Sequence, residues 1–341
     1  MKTQVLHDAS GFEQLHAEWN ALLERSPLRT VFLTWEWQAT WWKHLGEGEL
    51  HLLTLRDDDG TLVGIAPLCR VTSPAGLHTF RWVGCVDVSD YLDVVAAPGY
   101  EAALYTAILD YLTSPDAPAW RYVDLCNIRE ASPTHQSIAR MAQERGLYAR
   151  ASVQEVCPVI PLPATWDEYL DSLDKKQRHE IRRKIRRIES AADTRWRIAD
   201  DPATLDEDIE AFIRLHRKSN PEKDAFMDEK MVAFFRDVCH TFFHCGWLSL
   251  AFIFVNGNRA ASMLNFDYDN RILVYNSGYD PEEYAAMSPG IVLLSYCIRH
   301  AIETRREQFD FLRGDEEYKF RFGAVRTTVH NVLVSPEPLE P

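Results

Sequence analysis

Residues 274–320 read VYNSGYDPEEYAAMSPGIVLLSYCIRHAIETRREQFDFLRGDEEYKF, and this stretch decides the fold. A predicted strand, 272–276, leads into it and breaks at Ser277-Gly278, and a polar loop follows. Ser288 is a good N-cap residue, and the proline after it stands at the first helical position, where a missing N–H costs nothing. Gly290 has no side chain and lets a ligand approach the backbone closely. The stretch therefore predicts a strand, a loop and a helix with an accessible first turn.

That helix is predicted to run from Ile291 to Arg305, with apolar residues at helical spacing along one face. A short strand, 309–312, and a second short helix follow it. Because a strand, a glycine break and a bare helix N-terminus leave backbone N–H groups unpaired, the pattern suits an anion such as a pyrophosphate. The alternative is ordinary βαβ packing with a well-capped helix, and the pattern alone leaves both open.

The same stretch resembles one protein family. Its segments YNSGYDP, SPG and FDFLRGDEEYK look like those of FemAB-like acyltransferases of the GNAT superfamily, as do FLTWEWQATWWKHLG at 32–46 and KKQRHEIRRKIRRIE at 175–189. The branch that they resemble is the one named after cellulose-biosynthesis proteins (CelD or BcsL type). The similarity extends over most of the chain, and it implies the fold while leaving the substrate open.

In this superfamily an amine attacks a thioester directly, so the resemblance implies acyl-CoA as co-substrate, an amine acceptor and no tightly bound cofactor. Ser288, Gly290 and Ile291 match the helix start that meets the donor's pyrophosphate. Tyr275 and Asn276 end the strand that would run beside the pantetheine arm. The resemblance therefore implies a donor site built mainly from backbone groups.

The chain has 341 residues, of which 46% are apolar, and its formal charge is −14. This length predicts one large domain or two smaller ones. An acidic chain argues against general nucleic-acid binding and fits a cationic acceptor such as an amine. No run approaches the roughly 20 apolar residues of a membrane span, and the N-terminus lacks the apolar core of a signal peptide. We therefore expect a cytoplasmic protein without a transmembrane segment, and its oligomeric state is left open.

Seven cysteines are scattered through predicted helices and strands, which is typical of buried thiols rather than of a disulfide framework. One group, Cys239-His240 with His244-Cys245, places two histidines four residues apart on a helix. Because Gly246 ends that helix and the sequence offers no further ligand cluster, we expect no metal site.

The order of predicted elements occurs twice along the chain. Each half reads helix, helix, hairpin, strand, helix, strand, helix, strand, which is the order of a GNAT fold. We therefore predict two tandem GNAT-like α/β domains, 1–162 and 163–341, each a mixed twisted sheet flanked by helices. The second domain has the Ser288-Pro289-Gly290 signature and is expected to bind the acyl donor, while the first shapes the acceptor cleft.

Proton transfer needs a carboxylate or a tyrosine near the reacting atoms. Asp315 and Tyr318 are three residues apart at the predicted start of a short helix, and Arg313 and Lys319 beside them suit an acidic substrate. The alternative is that Asp315 only caps that helix and Arg313 pairs with it. Asp267, on a predicted strand, is a weaker candidate for the same catalytic role.

A basic helix within 175–189 stands out in an otherwise acidic chain. Arg178, Arg182 and Arg183 are candidates to bind an anionic part of a substrate, such as a donor phosphate, a nucleotide-linked sugar, a carboxylate or an acidic lipid surface. A solvated charged face is the usual meaning of such a run, and the sequence leaves both interpretations open.

In the first half, Asp87, Asp90, Tyr91 and Asp93 cluster around a predicted strand, 91–96. Asp90 and Tyr91 are candidates to line the acceptor cleft. The polarity of a loop and a strand edge explains these residues equally well, so this assignment is a hypothesis.

Together these features favour an enzyme that moves an acyl group from acyl-CoA to the amine of an amino sugar, an amino acid or an envelope precursor. A rival with the same fold is aminoacyl transfer from aminoacyl-tRNA to a peptidoglycan precursor. The acidic charge and the lack of a long coiled-coil insertion weigh against that rival. A non-catalytic protein that binds a saccharide or a protein through the same cleft is the third possibility.

Overall fold

The structure is a computed structural model that describes residues 1–85 and 88–339. By its internal contacts the chain divides into two compact units. The first contains Met1–Val156 together with Thr328–Pro341, and the second contains Cys157–Thr327. Each unit is a mixed sheet flanked by helices, which confirms the predicted fold class.

The first unit follows the predicted order of elements. Its strands and helices are β1 (Lys2–Leu6), α1 (Ser10–Arg25), α2 (Trp35–Leu45), β2 (Glu49–Arg56), β3 (Leu62–Thr72), β4 (His78–Trp82), β5 (Val95–Ala96), α3 (Glu101–Thr113), β6 (Tyr122–Arg129), α4 (Thr134–Glu144), the start of β7 (Tyr148–Pro161) and most of β13 (Val325–Ser335). The sheet order is β1-β2-β3-β4-β6-β13, with β5 beside β3. Neighbouring strands are antiparallel, except that β4 and β6 are parallel.

The second unit repeats this topology. Its remaining elements are α5 (Trp166–Ser172), α6 (Lys175–Ala191), β8 (Thr194–Ile198), α7 (Leu205–Ser219), α8 (Pro221–Phe226), α9 (Glu229–His244), β9 (Leu248–Val255), β10 (Asn258–Tyr268), β11 (Arg271–Tyr279), α10 (Pro281–Tyr284), α11 (Pro289–Glu303), β12 (Gln308–Asp310) and α12 (Glu317–Arg321). The sheet order is β8-β9-β10-β11-β12-β7. Neighbours are again antiparallel, except that β11 and β12 are parallel.

The last strand of each half of the sequence pairs with a strand from the other half. β13 pairs with β6, with Val334 opposite Val123, and β7 pairs with β12, with Pro161 opposite Gln308. The predicted contiguous domain 163–341 therefore differs from the second unit, which ends at Thr327. A sequence pattern shows that a segment is a strand but does not fix which distant strand it joins, and sequential neighbours are only the commoner outcome.

One apolar core of the second unit lies on the face of its sheet that α11 covers. Leu294, Ile298 and Ile302 of the predicted apolar face of α11 are buried there. Ile181 and Ile188 on α6 join the same core and are almost fully buried. Burial of these side chains stabilises the position of α11 by roughly 1.5–3 kcal/mol for each large apolar residue. The N-terminus of α11 is thereby held at a fixed place beside β11.

The cysteine prediction is wrong for one pair. Cys85 and Cys126, in the first unit, form a disulfide, whereas the free and buried cysteines are Cys69, Cys157, Cys239 and Cys297. In the part of the chain that the structure describes, no group of three His, Cys, Asp or Glu side chains could hold a metal ion.

No single helix in residues 1–85 or 88–339 is both long enough and apolar enough to cross a membrane. The helices Pro281–Met287 and Pro289–Glu303 reach that length and composition only when counted together across a bend of 63°.

Candidate active site

The sheet of the second unit opens between β11 and β12. These parallel strands pair only from Arg271 opposite Gln308 to Leu273 opposite Asp310. Beyond this point β11 continues to Tyr279, whereas the chain after β12 turns to β7, where the Phe311 N–H donates to the Pro158 carbonyl at 2.9 Å. The outer part of β11 therefore has an edge that β12 does not cover.

A β-bulge lies on β11 at this opening. Leu264 on β10 is opposite Asn276, but the next residue, Asn265, is opposite Val274, so Tyr275 is the extra residue. A bulge re-aims the backbone and is frequent next to active sites. The ring of Tyr275 stacks on the ring of Phe235, and the two ring centroids are 5.7 Å apart. Tyr275 can thus contribute to a donor site through its backbone, as predicted from the resemblance.

A cavity of about 380 Å³ occupies the opening, a volume that suits part of a small-molecule substrate. Its walls come from β10, β11, the start of α11 and α12. They are formed by Ser262, Met263, Ser277, Gly278, Tyr279, Ala285, Ser288, Pro289, Gly290, Ile291, Leu294 and Tyr318. Three predicted donor-site residues, Ser288, Gly290 and Ile291, therefore line one cavity together with the predicted catalytic Tyr318.

The N-terminus of α11 forms one end of this cavity. Ser288 has left-handed backbone angles (φ 53°, ψ 48°), and its side chain makes no capping hydrogen bond within the described residues. The prediction of a serine side-chain cap is wrong, because such a cap needs an extended N-cap residue. The Ser288 carbonyl instead accepts from the N–H groups of Ile291 and Val292, at 3.1 and 3.2 Å. Within the described residues, the Ser288 side chain therefore leaves this end of the helix uncapped.

Gly290 confirms how open this end is. Apart from its two chain neighbours and the nearby backbone of α11 itself, no described heavy atom would lie within 4 Å of a Cβ atom built on Gly290. Gly290 also lines the cavity at the N-terminus of α11, where the positive end of the helix dipole favours an anion.

Tyr318 is the residue of α12 that lines the cavity. Its ring lines the cavity, has 40% of its surface exposed and contacts Phe311 edge-on. Partial desolvation, and then the neighbouring carboxylate of Glu316, raise the pKa of the Tyr318 phenol to about 12. The hydroxyl is therefore protonated at neutral pH and can donate a proton.

Asp315 does not share a helix with Tyr318. The helix begins at Glu317, and Asp315 is exposed in the loop before it. The predicted common helix face is therefore wrong, because the loop continues two residues further than the spacing suggested. A catalytic role of Asp315 stays a prediction.

Lys319 holds the loop rather than facing solvent. Its side chain is buried, and its ammonium donates to the carbonyls of Arg313 and Gly314, both at 3.0 Å. It also forms an ion pair of 2.8 Å with Glu316. The Lys319 ammonium is thus bound by the protein itself, whereas we predicted that it contacts a substrate. Arg313, the other predicted substrate contact, is half-buried in the same loop.

Asp267 lies further along β10 and does not line the cavity. Both of its carboxylate oxygens accept from Arg306, at 2.7 Å each. This bidentate pair gives Asp267 a structural partner. The structure thus separates it from the other predicted catalytic residues.

The corner between α7 and α8, residues 215–223, packs on the open part of β11. The α7 backbone crosses Gly278 so closely that a Cβ atom there would lie 2.3 Å from the His216 nitrogen. His216 also shares a hydrogen bond of 2.9 Å between its Nε2 and the Asn276 Oδ1. The amide of Asn276, a predicted donor contact, is therefore engaged by the protein itself.

Three further residues fix this α7–α8 corner. Lys218 forms an ion pair of 2.7 Å with Asp280, and Ser219 accepts from the Tyr279 N–H at 3.0 Å. The Lys223 ammonium donates to the carbonyl of Ser277, which lines the cavity. Sequence reasoning missed all of these contacts, because the partners are 54–62 residues apart and no local pattern marks them.

His216 makes the stability of this region dependent on pH. Burial, and then the charge of Lys223, lower its pKa to about 4 from the ordinary 6.5. Between pH 4 and pH 6.5 the unfolded chain therefore binds more protons than the folded chain. The contribution of His216 to the free energy of unfolding is complete above pH 6.5 and is lost as the pH falls towards 4. Between pH 7.5 and pH 5 we expect the free energy of unfolding of wild type to fall by about 2 kcal/mol more than that of His216→Gln. Each pH unit below 6.5 costs wild type about 1.4 kcal/mol. Urea unfolding at the two pH values measures this, and equal losses would contradict it.

The basic helix, α6, has most of its predicted contact residues paired. Arg178 forms an ion pair of 2.7 Å with Asp171, and Arg183 a bidentate pair of 2.8 Å with Glu180. Arg182 is exposed. None of the three lines the cavity described above. Their role in binding an anionic ligand stays a prediction.

The predicted acceptor residues of the first half lie in the first unit. Tyr91 is buried, with its ring against Phe32 and the guanidinium of Arg129 over it at 5.7 Å. Its burial contradicts direct contact with a substrate. Asp90 is half-buried, and Asp87 lies outside the described residues. The expected strand 91–96 is reduced to β5.

Comparison with known proteins agrees with this geometry. Residues 175–320 match the model of the acetyltransferase (GNAT) domain family. This range includes β10, β11, the open end of α11 and Tyr318, and thus the whole cavity. A search of curated proteins gave no match.

Solved structures share the fold over nearly the full chain. FemX has 12% sequence identity and a TM-score of 0.67, with 97% of each chain covered. L-PGS from Bacillus licheniformis has 12% identity and a TM-score of 0.58, with 95% of this chain and 92% of that chain covered. A tandem GNAT protein from the clavulanic acid biosynthesis pathway has 13% identity and a TM-score of 0.51, with 99% and 100% covered. Residues 175–320 thus match the acetyltransferase (GNAT) domain family, and the chain as a whole shares its fold with FemX, L-PGS and the tandem GNAT protein.

Proposed function

We propose that the protein transfers an acyl group from a coenzyme A thioester to an amine. The observation that carries this proposal is the cavity at the opening of β11 and β12, which ends at the open N-terminus of α11. The start of α11 suits a phosphate, and Tyr318 presents a protonated phenol to the same cavity. A thioester donor with a pyrophosphate has groups for both.

The donor is proposed to bind with its pyrophosphate at the first turn of α11. Ser288, Gly290 and Ile291 form that turn, and all three line the cavity. The pantetheine arm then follows the open edge of β11, near Tyr275 and Asn276. Backbone groups supply these contacts, which is why few side chains mark the site in the sequence.

The reaction needs two protons to leave the acceptor ammonium and one to reach the leaving group. Asp315, or water beside it, takes the first proton from the ammonium and passes it to solvent. The neutral amine then attacks the thioester carbon, the C–N bond forms and the C–S bond breaks. The Tyr318 hydroxyl protonates the thiolate, and the second proton, from the nitrogen of the intermediate, returns to the Tyr318 oxygen through water. The raised pKa of Tyr318 keeps its proton available until the thiolate forms.

Tyr318→Phe removes the proposed acid with little change in shape. We expect kcat to fall by about 100-fold, the lower end of the usual contribution of a general acid, with donor affinity nearly unchanged. Steady-state kinetics with acetyl-CoA measures this. Tyr279→Phe is the matched control, because Tyr279 lines the same cavity with a similar exposure. Equal kcat values for the two variants would remove Tyr318 from the mechanism.

Aminoacyl transfer from aminoacyl-tRNA is the second candidate function. The similarity to FemX over 97% of both chains favours it. The formal charge of −14 opposes it, because an acidic surface repels RNA. A non-catalytic binding protein is the remaining alternative.

Thermal unfolding in the presence of each donor separates these functions. A ligand at 100 times its Kd stabilises the folded state by about 2.7 kcal/mol, which raises Tm measurably. We expect acetyl-CoA or a longer acyl-CoA to raise Tm and charged tRNA to leave it unchanged. A shift with charged tRNA alone would establish the second candidate, and no shift with any of these ligands would favour a binding protein.

A further inference from the structure

Two charged side chains near the opening make no contact with the donor in the binding mode proposed above. Lys223 comes from the α7–α8 corner and reaches Ser277 at the uncovered edge of β11. Glu316 comes from the loop after β12, two residues before Tyr318. Ser277 and Tyr318 both line the cavity, so each charged side chain is close to a residue of its lining.

The backbone pattern explains why Lys223 lies at the edge. The Asp280 N–H donates to the Ala260 carbonyl on β10, so by alternation the backbone groups of Ser277 and Tyr279 face away from β10. The bond from the Tyr279 N–H to Ser219 agrees with this alternation. The Lys223 ammonium therefore binds an edge carbonyl at the place where β12 does not cover β11.

The charge of Lys223 is poorly compensated. Its hydrogen bonds go to the carbonyl and hydroxyl of Ser277, and within the described residues no carboxylate lies at ion-pair distance. Burial lowers the pKa of Lys223, and only the more distant Glu316 opposes this effect. An ammonium carries three donors, so one is left for a ligand. A partly buried cation of this kind favours an anionic partner.

Glu316 is held in place but remains accessible. Lys319 binds its Oε2 at 2.8 Å, and 58% of the side chain is exposed. Gly314 leaves room for this arrangement, because a Cβ there would lie 2.5 Å from the same oxygen. The other carboxylate oxygen can therefore accept a hydrogen bond from a cation that enters the opening.

We propose that Lys223 and Glu316 recognise an acceptor whose amine has an anionic group beside it, as in an α-amino acid. Lys223 binds the carboxylate of the acceptor, and Glu316 binds its ammonium next to Tyr318. This inference rests on the proposed acyltransferase function and narrows its acceptor class. It also gives the α7–α8 corner a role in substrate selection.

The test compares each of the twenty L-amino acids with its own carboxamide, which keeps the amine and the shape but lacks the negative charge. Release of the coenzyme A thiol from acetyl-CoA measures kcat/KM for both members of each pair. We expect wild type to favour the best amino acid over its carboxamide by at least tenfold. In Lys223→Met the ratio of kcat/KM for the amino acid to kcat/KM for its carboxamide should fall to about three or less, mainly because KM for the amino acid rises.

Three variants complete the test. Lys223→Arg keeps the charge and should retain part of the preference. Glu316→Gln should lower kcat/KM for both members of a pair and leave the ratio unchanged. Lys230→Met is the matched control, because Lys230 is exposed on α9 of the same unit, and it should keep the ratio of wild type.

The outcomes distinguish this inference from the function on which it rests. If neither acetyl-CoA nor a longer acyl-CoA raises Tm, the acyl-CoA function fails and the inference fails with it. If acetyl-CoA binds but the carboxamides react equally well, or no amino acid reacts, the inference alone is overturned. An unchanged ratio in Lys223→Met overturns it as well.

Discussion

Gly278→Val is expected to destabilise the second unit by about 3 kcal/mol or more, at the upper end of what overpacking costs. A Cβ atom on Gly278 would lie 2.3 Å from the His216 nitrogen and 2.4 Å from the Leu215 carbonyl carbon. These are backbone atoms of α7, so no side chain can rotate to relieve the overlap. The helix would have to move away from β11 and would break the bonds of the α7–α8 corner.

Thermal and urea unfolding measure this effect. A loss of about 3 kcal/mol lowers Tm by roughly 6–12 °C for a unit of this size. Gly290→Ala is the matched control, because its Cβ would meet no described atom within 4 Å. We expect that control to stay within about 0.5 kcal/mol of wild type. Equal stabilities of Gly278→Val and wild type would show that α7 does not lie against β11 in this way.

Gly290→Trp is expected to weaken acyl-CoA binding by at least about 100-fold, which is about 2.7 kcal/mol of binding free energy. The indole would project into the cavity and cover the first turn of α11, where we propose that the pyrophosphate binds. The substitution meets no protein atom at its Cβ, so the stability of the free protein should hardly change. The two effects together would separate a loss of the site from a loss of the fold.

Isothermal titration with acetyl-CoA measures the affinity, and unfolding without ligand measures the stability. Gly290→Ala again serves as the control, with an expected loss of less than about tenfold, because a methyl group leaves most of the cavity free. Unchanged affinity of Gly290→Trp would move the donor's phosphates away from α11. A large loss in both variants would indicate that the backbone at Gly290 approaches the donor very closely.

The candidate site combines residues that the sequence marks with residues that it does not. The helix start at Ser288 to Ile291 stands out through its proline and glycine, and Tyr318 lies in a segment that resembles the family. Lys223 and His216 stand on ordinary polar or amphipathic helices, where lysine and histidine are common. Their importance comes from where α7 crosses β11, and no pattern within a short window reports that crossing.

Some sequence-based expectations failed for a related reason. The spacing of Asp315 and Tyr318 suggested one helix face, but the buried ammonium of Lys319 holds the residues before the helix in a loop. Tyr91 has the polarity of a cleft residue, yet its ring is buried against Phe32. In each case a contact with a residue outside the local pattern decided the outcome.

The sequence by itself determined the elements and their order. The turn Asn256-Gly257 joins β9 and β10, with Val255 opposite Asn258, and both turn residues have the positive φ that such a turn requires. The capping box of Thr165 and Glu168 begins α5. These features depend on residues within a few positions of each other, so a short stretch of sequence is enough to predict where the turn forms and where the helix begins.

Only the tertiary structure decided which strands pair and which side chains meet at the opening. β7 and β13 each join a sheet built largely from the other half of the chain, and the α7–α8 corner covers the edge of β11. Such contacts bring together residues more than 50 positions apart, and their free energy depends on the shape of both surfaces at once. For that reason the sequence predicts the acyltransferase fold, whereas the charges that would select its acceptor appear only in the folded chain.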